Sequence, residues 1–220
     1  MTVFSGPDKF YVLDRSEVRD LSDAVLDESG RPKVLPASFY QSTTREERGM
    51  LGVQHGLYCL PTLELVDWLV AHIGRRRAIE IGAGNGRLAE AVGIRATDNF
   101  QQTNPMVRAH YEALGQPTIR YGPNVERLDA QEAVNRYEPE VVVGSWITHR
   151  FDPRVPERGG NMYGPDADWL VERCEYVMIG NIGVHGQHPL LSRSHDVVFP
   201  PWLYSRAMNG SLDFIATWRP

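Results

Sequence analysis

A glycine-rich turn directly after a short apolar run constrains this chain more than any other feature. Residues 78–86 read Ala-Ile-Glu-Ile-Gly-Ala-Gly-Asn-Gly, and a helical pattern follows from Arg87 to Val92. Glycine permits positive φ and lets backbone N–H groups approach a ligand without interference from a Cβ atom. The start of the helix adds unpaired N–H donors and a partial positive charge. The segment therefore predicts a buried strand, 78–81, that leads into a nucleotide-binding turn.

The spacing of the glycines bears on which nucleotide the turn could bind. A dinucleotide fingerprint, G-x-G-x-x-G, would require a third glycine at the position of Arg87. The observed pattern is E-x-G-x-G-x-G, from Glu80 to Gly86. It resembles motif I of the class I S-adenosylmethionine-dependent methyltransferases, in which an acid usually precedes the first glycine by two residues. Another Rossmann-like site and a purely structural turn are the alternatives.

Composition narrows the class of protein. The chain has 220 residues, 42% of them hydrophobic, which suits one domain with an extension. Its net charge of −5 offers no general attraction to phosphate backbones, so nucleic acid is not an expected partner. Cys59 and Cys174 match no metal or redox spacing. Because no stretch approaches the ~20 apolar residues of a membrane span and Met1 to Phe10 hold no apolar signal segment, we expect a cytoplasmic protein without a membrane partner.

Strand and helix patterns alternate from residue 57 onward. Helices are expected at 61–74, 87–92, 104–114, 130–137 and 166–173, and strands at 78–81, 94–98, 125–129, 140–144, 175–180, 196–199 and 212–218. This alternation predicts a doubly wound α/β fold with a mostly parallel seven-stranded sheet and an antiparallel C-terminal strand.

Residues 1–56 are polar and irregular, with Gly30, Pro32, Pro36 and Gly49 as breakers. We interpret them as an N-terminal extension or cap, and residues 57–220 as the methyltransferase-like domain. As a hypothesis, the extension forms a lid over the substrate.

Polar side chains follow the predicted strands at the edge where open α/β sheets bind ligands. Asp98 ends the second strand, where a carboxylate can accept hydrogen bonds from both ribose hydroxyls. Asp129 and Ala130 end the third strand, and Ser145 and Trp146 end the fourth. Both aspartates could instead cap the helices that follow them.

The resemblance to class I methyltransferases covers about residues 57–218 and implies S-adenosyl-L-methionine as the cofactor. In that family an aspartate followed by a small residue contacts the adenine, and the end of the fourth strand contacts the sulfonium and the substrate. The cofactor-binding residues that this implies are Glu80, Gly82, Ala83, Gly84, Gly86, Asp98, Asn99, Asp129, Ala130, Ser145 and Trp146, with Tyr58 as a candidate wall.

Candidate catalytic bases lie in the loops after the fourth and fifth strands. His149 and His185 could remove a proton from the methyl acceptor near neutral pH. The alternative is that both are exposed or bonded to backbone. His185, His188 and His195 have no clear carboxylate partner except Asp196, so no metal site is expected.

Gly144-Ser145-Trp146-Ile147 replaces the [D/N]-P-P-[Y/F/W] tetrad of DNA amino-methyltransferases, and the similar run 199–202 follows a different strand. The sequence therefore favours a methyltransferase acting on a small molecule or an accessible side chain. A catalytically silent S-adenosylmethionine-binding module and, less favoured, a nicotinamide-dependent oxidoreductase are the alternatives. The oligomeric state is open.

Overall fold

A seven-stranded sheet is the centre of the computed structural model, which describes residues 17–220 and the backbone of Val3–Phe4 and Phe10–Tyr11. Numbered along the chain, its strands are β1 Ala78–Ile81, β2 Arg95–Asp98, β3 Val125–Arg127, β4 Val141–Ser145, β5 Glu175–Asn181, β6 Asp196–Val198 and β7 Asp213–Trp218. They follow the order β3-β2-β1-β4-β5-β7-β6 across the sheet. Strand β7 is antiparallel to both of its neighbours. The other five consecutive strands of the sheet, β3, β2, β1, β4 and β5, are parallel to one another.

This topology confirms the predicted fold, a mostly parallel seven-stranded sheet with an antiparallel C-terminal strand. The reason is visible in β4, where Val141, Val142 and Val143 are all fully buried. A continuous apolar run of this kind is stable only when helices cover both faces of the sheet. The strand order reverses between β1 and β4, which places a crevice at their carboxyl ends.

Helices pack on both faces of the sheet. Their bounds are α1 Ser22–Val25, α2 Ala37–Gln41, α3 Arg45–His55, α4 Leu63–Ile73, α5 Arg87–Val92, α6 Pro105–Ala113, α7 Ala130–Tyr137, α8 Ala167–Val171 and α9 Ile182–His185. Helices α4 and α5 contribute Leu65, Leu69 and Leu88 to the core on one face. Helices α7 and α8 contribute Val134 and Leu170 to the core on the other. No helix within the described residues is long and apolar enough to cross a lipid bilayer.

The expectation of an irregular segment before residue 57 is wrong for residues 17–56, which contain α1, α2 and α3. Helix α3 begins after Thr44, whose side chain accepts from the backbone N–H of Glu47 in a capping box. Gly49, which we expected to break the chain, lies inside this helix. A Cβ at this position would lie 2.4 Å from the sulfur of Met208. The glycine allows close packing instead of ending the helix.

The extension shares a small core with the chain that follows it. Leu21, Val25 and Tyr40 pack with Leu57 and Leu60, so the apolar contacts continue across the proposed boundary. The division at residues 56 and 57 stays a prediction. Residues 1–16 of the extension, apart from the backbone of the two short strands, lie outside the described residues.

Two smaller expectations about helices are also corrected. Helix α4 begins at Leu63 instead of Pro61, because the hydroxyl of Thr62 accepts from the backbone N–H of Leu65 and serves as its cap. The loop expected after β5 begins with the short helix α9, which Asn181 caps through the N–H of Gly183.

Candidate functional site

The turn after β1 needs its glycines for conformation and for space. Gly82, Gly84 and Gly86 have φ values of +59°, +55° and +67°, a region that is costly for other residues. A Cβ on Gly82 would lie 2.4 Å from a methyl carbon of Ile147, which follows β4. The turn therefore lies directly beneath the connection that leaves β4.

Glu80 is a buried residue that connects β1 to α5 through a hydrogen bond. It is 3% exposed, and its carboxylate accepts from the backbone N–H of Ala89 in α5 at 2.9 Å. Burial raises the pKa of Glu80 to about 8, which the hydrogen bond from Ala89 partly opposes. Its role in this geometry is to hold α5 against β1, away from the main cleft.

Asp98 connects the end of β2 to the glycine turn. One carboxylate oxygen accepts from the N–H of Gly84 at 3.0 Å, and the other accepts from the N–H of Phe100 at 2.8 Å. Burial raises the pKa of Asp98, while these two hydrogen bonds lower it. A carboxylate has about four acceptor positions. Two backbone donors therefore leave Asp98 able to accept from a ligand.

A cleft of about 940 Å³ opens at the carboxyl ends of β1 to β4. Small-molecule sites commonly occupy roughly 300–1,000 Å³. The predicted site residues that line this cleft are Tyr58, Gly82, Asp98, Asn99, Asp129, Ala130, Ser145 and Trp146. The structure thus brings residues from four separate strand ends, and Tyr58 from before α4, to one cavity.

A second, much smaller cavity of about 60 Å³ lies at the glycine turn itself. Glu80, Ala83 and Gly84 line this cavity and not the main cleft. Gly86 lines neither cavity: it is the cap residue before α5, and a Cβ there would lie 2.6 Å from the side chain of Val125. These four residues build the turn and do not form the wall of the main cleft.

Asp129 has the capping role that was the alternative to binding. Its carboxylate accepts from the N–H of Glu132 at 2.9 Å, and the carboxylate of Glu132 accepts from the N–H of Asp129 at 2.9 Å. This capping box begins α7. Because Asp129 also lines the cleft, capping fixes its position there and leaves acceptor capacity on the carboxylate.

Trp146 leaves β4 in a conformation that is unusual for a bulky residue. Its φ is +58°, held by a hydrogen bond from its N–H to the carbonyl of Ile179 at 2.8 Å. Among the described residues, neither its indole N–H nor the buried hydroxyl of Ser145 has a partner. Strained backbone and unpaired polar atoms in a cleft wall are typical of functional sites.

The two histidines proposed as bases do not line the main cleft. His185 is 3% exposed, and its Nδ1 accepts from the N–H of Asn181 at 3.0 Å. Its ring lies behind Trp146 in an edge-to-face contact at 5.3 Å between centroids. Burial lowers the pKa of His185 to about 4. In this geometry His185 lies behind Trp146 and away from an acceptor in the main cleft.

His149 is likewise buried, at 9% exposure, and burial together with nearby Arg158 lowers its pKa. Its ring packs against that of His188 at 4.9 Å between centroids. The sequence located His149 and His185 in the connections after β4 and β5, although His185 ends the short helix α9, and it could not reveal that their rings turn inward. Among the described residues, no group of three or more His, Cys, Asp or Glu side chains is arranged to hold a metal ion.

The segment that extends over the cleft is the connection 147–166, not the N-terminal extension. Asn99 donates to the carbonyl of Tyr163 at 3.0 Å, and Asn104 donates to its hydroxyl at 3.2 Å. None of residues 17–56 lines the main cleft. The described part of the extension reaches only the small cavity at the glycine turn, through Pro32 and Gly56, and the lid stays a prediction.

The described extension packs on the outer side of the glycine turn. The guanidinium of Arg31 donates to the carbonyl of Asn85 at 3.1 Å, and Arg87 pairs with Asp27. These contacts support the turn from the side opposite the cleft.

Several cleft residues had no motif that could have identified them. They include Phe100, Gln102, Tyr111, Tyr121, Arg127 and Arg150. Phe100 and Tyr121 stack with centroids 4.0 Å apart, although 21 positions separate them in the sequence. Their only signal was nearness to Asp98 or to the predicted strand ends, which does not specify side-chain contacts.

Comparisons with known proteins give a distant likeness. No family model matches the sequence, and no curated protein does. A precorrin-6y C5,15-methyltransferase from Geobacter metallireducens is similar in structure, with 13% identity, 72% of this chain and 89% of that chain covered, and a TM-score of 0.39.

Two further solved structures are also similar. An rRNA methylase from Streptococcus thermophilus has 10% identity and a TM-score of 0.38, covering 70% of this chain and 93% of that chain. A SAM-dependent methyltransferase from Agrobacterium tumefaciens has 10% identity and a TM-score of 0.34, covering 70% of this chain and 60% of that chain. Values of this size describe a remote likeness of fold and carry no information about the molecule that is methylated.

Proposed function

We propose that this chain is an S-adenosylmethionine-dependent methyltransferase. The observation that carries the proposal is the joint placement of Asp98 and the glycine turn. The carboxylate of Asp98 is buried, bonded to the N–H of Gly84, and part of the wall of the main cleft. An acid at the end of the second strand, fixed to a glycine turn at the switch point of the sheet, suits the ribose of a nucleoside.

The residues of the cleft fit the proposed cofactor along its length. Asp98 has acceptor positions for ribose hydroxyls, and Asp129 and Ala130 stand at the end of β3, where the family resemblance places the adenine. The glycine turn leaves the methionine part close to backbone N–H groups. When bound, the cofactor would supply a methyl group on a positively charged sulfur.

The protein would contribute by positioning the methyl acceptor and by excluding water from the cleft. Trp146 and Tyr58 line the cleft with ring centroids 6.2 Å apart, beside the end of β4. The connection 147–166 reaches the far side of the cleft through Tyr163. These elements could hold an acceptor in line with the reacting methyl group and keep water away.

We propose a small molecule or an accessible side chain as the acceptor and S-adenosyl-L-methionine as its methyl donor. Because neither His149 nor His185 lines the cleft, the acceptor would need a nucleophile that loses its proton without an imidazole base. The same observation favours one second candidate, a module that binds the cofactor and has no catalysis.

Calorimetric titration with S-adenosylhomocysteine tests the proposal, with NAD as the comparison ligand. We expect binding of the first and none of the second. Asp98→Ala should weaken the binding by about 1.5–3 kcal/mol, since charge-assisted hydrogen bonds to ribose are lost. Asp67→Ala, on an exposed carboxylate of α4 that does not line the cleft, is the control and should bind as the wild type does. Folded protein that does not bind S-adenosylhomocysteine would refute the proposal.

Transfer of label separates an enzyme from a silent module. Methyl-labelled S-adenosylmethionine is incubated with the protein and an extract of its source cells, and the extract is then separated by size. We expect label in the small-molecule or protein fraction, and none with Asp98→Ala. Cofactor binding without any transferred label would support the silent module.

A further inference from the structure

Gln102 organises three phenolic hydroxyls in the wall of the main cleft. Its side chain is buried, at 5% exposure, and its amide oxygen accepts from the N–H of Ile119 at 2.7 Å. This bond fixes the orientation of the amide, so that the NH₂ group faces the tyrosines. It donates to the hydroxyl of Tyr111 at 3.1 Å and to that of Tyr58 at 3.4 Å.

This network contains more hydroxyl protons than acceptors for them. The hydroxyls of Tyr58 and Tyr111 lie 2.7 Å apart, so one of them donates to the other. Both oxygens also accept from Gln102. The second phenolic proton of the pair has no acceptor among residues 17–220. The hydroxyl of Tyr121 accepts from the N–H of Gln102 at 3.2 Å, and its own proton has no acceptor in the same part of the chain.

The surroundings of the Tyr58–Tyr111 pair favour a negative charge, whereas the hydroxyl of Tyr121 is also near the carboxylate of Asp98. The guanidinium of Arg206 lies over the ring of Tyr58, 3.9 Å from its centre, and no carboxylate of the described residues pairs with it. Burial raises the pKa of Tyr111 and of Tyr121. Both phenols therefore stay protonated near neutral pH and act as donors. Spare O–H donors beside an unpaired cation suit a carboxylate.

The network lies at the end of the cleft that is nearest to the glycine turn. Tyr58 lines both the main cleft and the small cavity at the turn, together with Gly82. A Cβ on Gly84 would lie 3.3 Å from Ile119, which bonds to Gln102. Asp129 follows β3 at the edge of the sheet, whereas Tyr58 lies near Trp146, which follows β4.

We propose that Tyr58, Tyr111 and Tyr121, held by Gln102, form a subsite that binds the carboxylate of the methionine part of the cofactor. This inference rests on the proposed function. It adds the residues that would recognise the amino-acid end of the ligand, which no motif of the sequence identified. The hydroxyls bind and orient the ligand and take no part in the transfer of the methyl group.

The test compares two ligands that differ by one carboxylate. S-adenosylhomocysteine and its decarboxylated analogue, which ends in a 3-aminopropylthio group, are titrated calorimetrically into the wild-type protein and its variants. We expect the wild type to prefer the carboxylate by about 10-fold or more, the size of one charge-assisted hydrogen bond. In the double variant Tyr58→Phe/Tyr111→Phe this preference should fall several-fold, because the spare proton of the pair is gone.

Single variants sharpen the test. Tyr58→Phe or Tyr111→Phe alone leaves one phenolic proton without an acceptor, so each should reduce the preference less than the double variant. Tyr121→Phe leaves the Tyr58–Tyr111 pair and the side chain of Gln102 untouched, and it should still reduce the preference if the double variant does not fold. Tyr137→Phe, at a tyrosine outside both the network and the cleft, is the control and should leave the ratio unchanged.

The outcomes separate this inference from the proposed function. Equal affinities of the wild type for the two ligands, or equal weakening of both in the variants, would overturn the subsite and leave the proposed function standing. A folded wild type that binds neither ligand would overturn both.

Discussion

The ends of β1 and β2 differ from the ends of β4 and β5 in how their polar groups are satisfied. At the first pair, the carboxylates of Glu80 and Asp98 each accept backbone hydrogen bonds. At the second pair, the hydroxyl of Ser145, the indole N–H of Trp146 and Nε2 of His185 have no partner among the described residues. In the first region each buried carboxyl group has a backbone partner and Asp98 keeps further acceptor positions, whereas the second region keeps unpaired donors and a strained residue.

The same two regions respond to pH in opposite directions. Burial raises the pKa of Glu80 to about 8, so its neutral form is favoured in the folded protein. Burial lowers the pKa of His185 to about 4 and that of His188 to about 3. The same sheet therefore buries an acid and bases in their neutral forms, and each limits stability at a different end of the pH range.

The largest expected effect concerns Glu80. Between about pH 4.5 and pH 8 the folded protein keeps a proton on Glu80 that the unfolded chain has lost, so unfolding releases a proton and stability falls as the pH rises. At about 1.4 kcal/mol per pH unit, this amounts to about 5 kcal/mol across the window. Glu80→Gln, which keeps an oxygen for the N–H of Ala89, should remove most of this loss in urea unfolding at pH 5, 6.5 and 8. An unchanged slope would show that Glu80 is ionised in the folded protein.

Gly82 gives the next largest effect. Gly82→Ala adds a Cβ 2.4 Å from Ile147 at a φ of +59°, and it should lower the free energy of unfolding by about 3 kcal/mol. Gly93→Ala is the matched control, because its φ is +79° and no atom lies within 4 Å of the added carbon. It should cost only the backbone strain, about 1–2 kcal/mol. Equal losses in the two variants would mean that the contact with Ile147 is unimportant.

The third prediction concerns the acid-induced loss of stability caused by His185, at the ends of β4 and β5. Its pKa of about 4 lies below that of the unfolded chain, so its contribution to stability is present above pH 6.5 and is lost as the pH falls toward 4. His185→Asn, whose oxygen could accept from the N–H of Asn181, should reduce this acid-induced loss by about 2 kcal/mol. Unfolding at pH 7, 5.5 and 4.5 measures it, and the exposed His110→Asn is the matched control. If the acid-induced loss stays the same in His185→Asn, the histidine is not buried in its neutral form.

The smallest expected effect concerns the cap of α7. Asp129→Ala should lower the free energy of unfolding by about 1 kcal/mol, because one half of the capping box is lost. Asp129→Asn should retain most of the stability, since asparagine caps helices equally well. Thermal unfolding distinguishes the two. Equal stability of the alanine variant and the wild type would contradict the capping geometry.

The sequence predicted the first of the two regions much better than the second. The turn and the acids at strand ends depend on local chemistry, such as a glycine that needs positive φ or an acid that follows a strand. The inward rings of His149 and His185 and the tyrosines around Gln102 depend on side chains brought together from distant positions. No periodicity or spacing encodes such contacts, and a single sequence does not reveal them.

The N-terminal extension also contains a tertiary contact that the local sequence pattern did not reveal. Gly49 suggested a broken segment, yet α3 runs through it from Arg45 to His55. The glycine is there because Met208, far away in the sequence, packs against α3. A residue that disfavours a helix locally was overruled by a tertiary contact.

Hydrogen–deuterium exchange with and without S-adenosylhomocysteine tests the central claim most directly. If the cofactor binds over the ends of β1 to β3, the ligand should slow exchange in residues 82–86 and 98–104 and leave exchange in 193–198 unchanged. Protection confined to other segments, or no change anywhere in a folded sample, would contradict the assignment of this cleft to the cofactor.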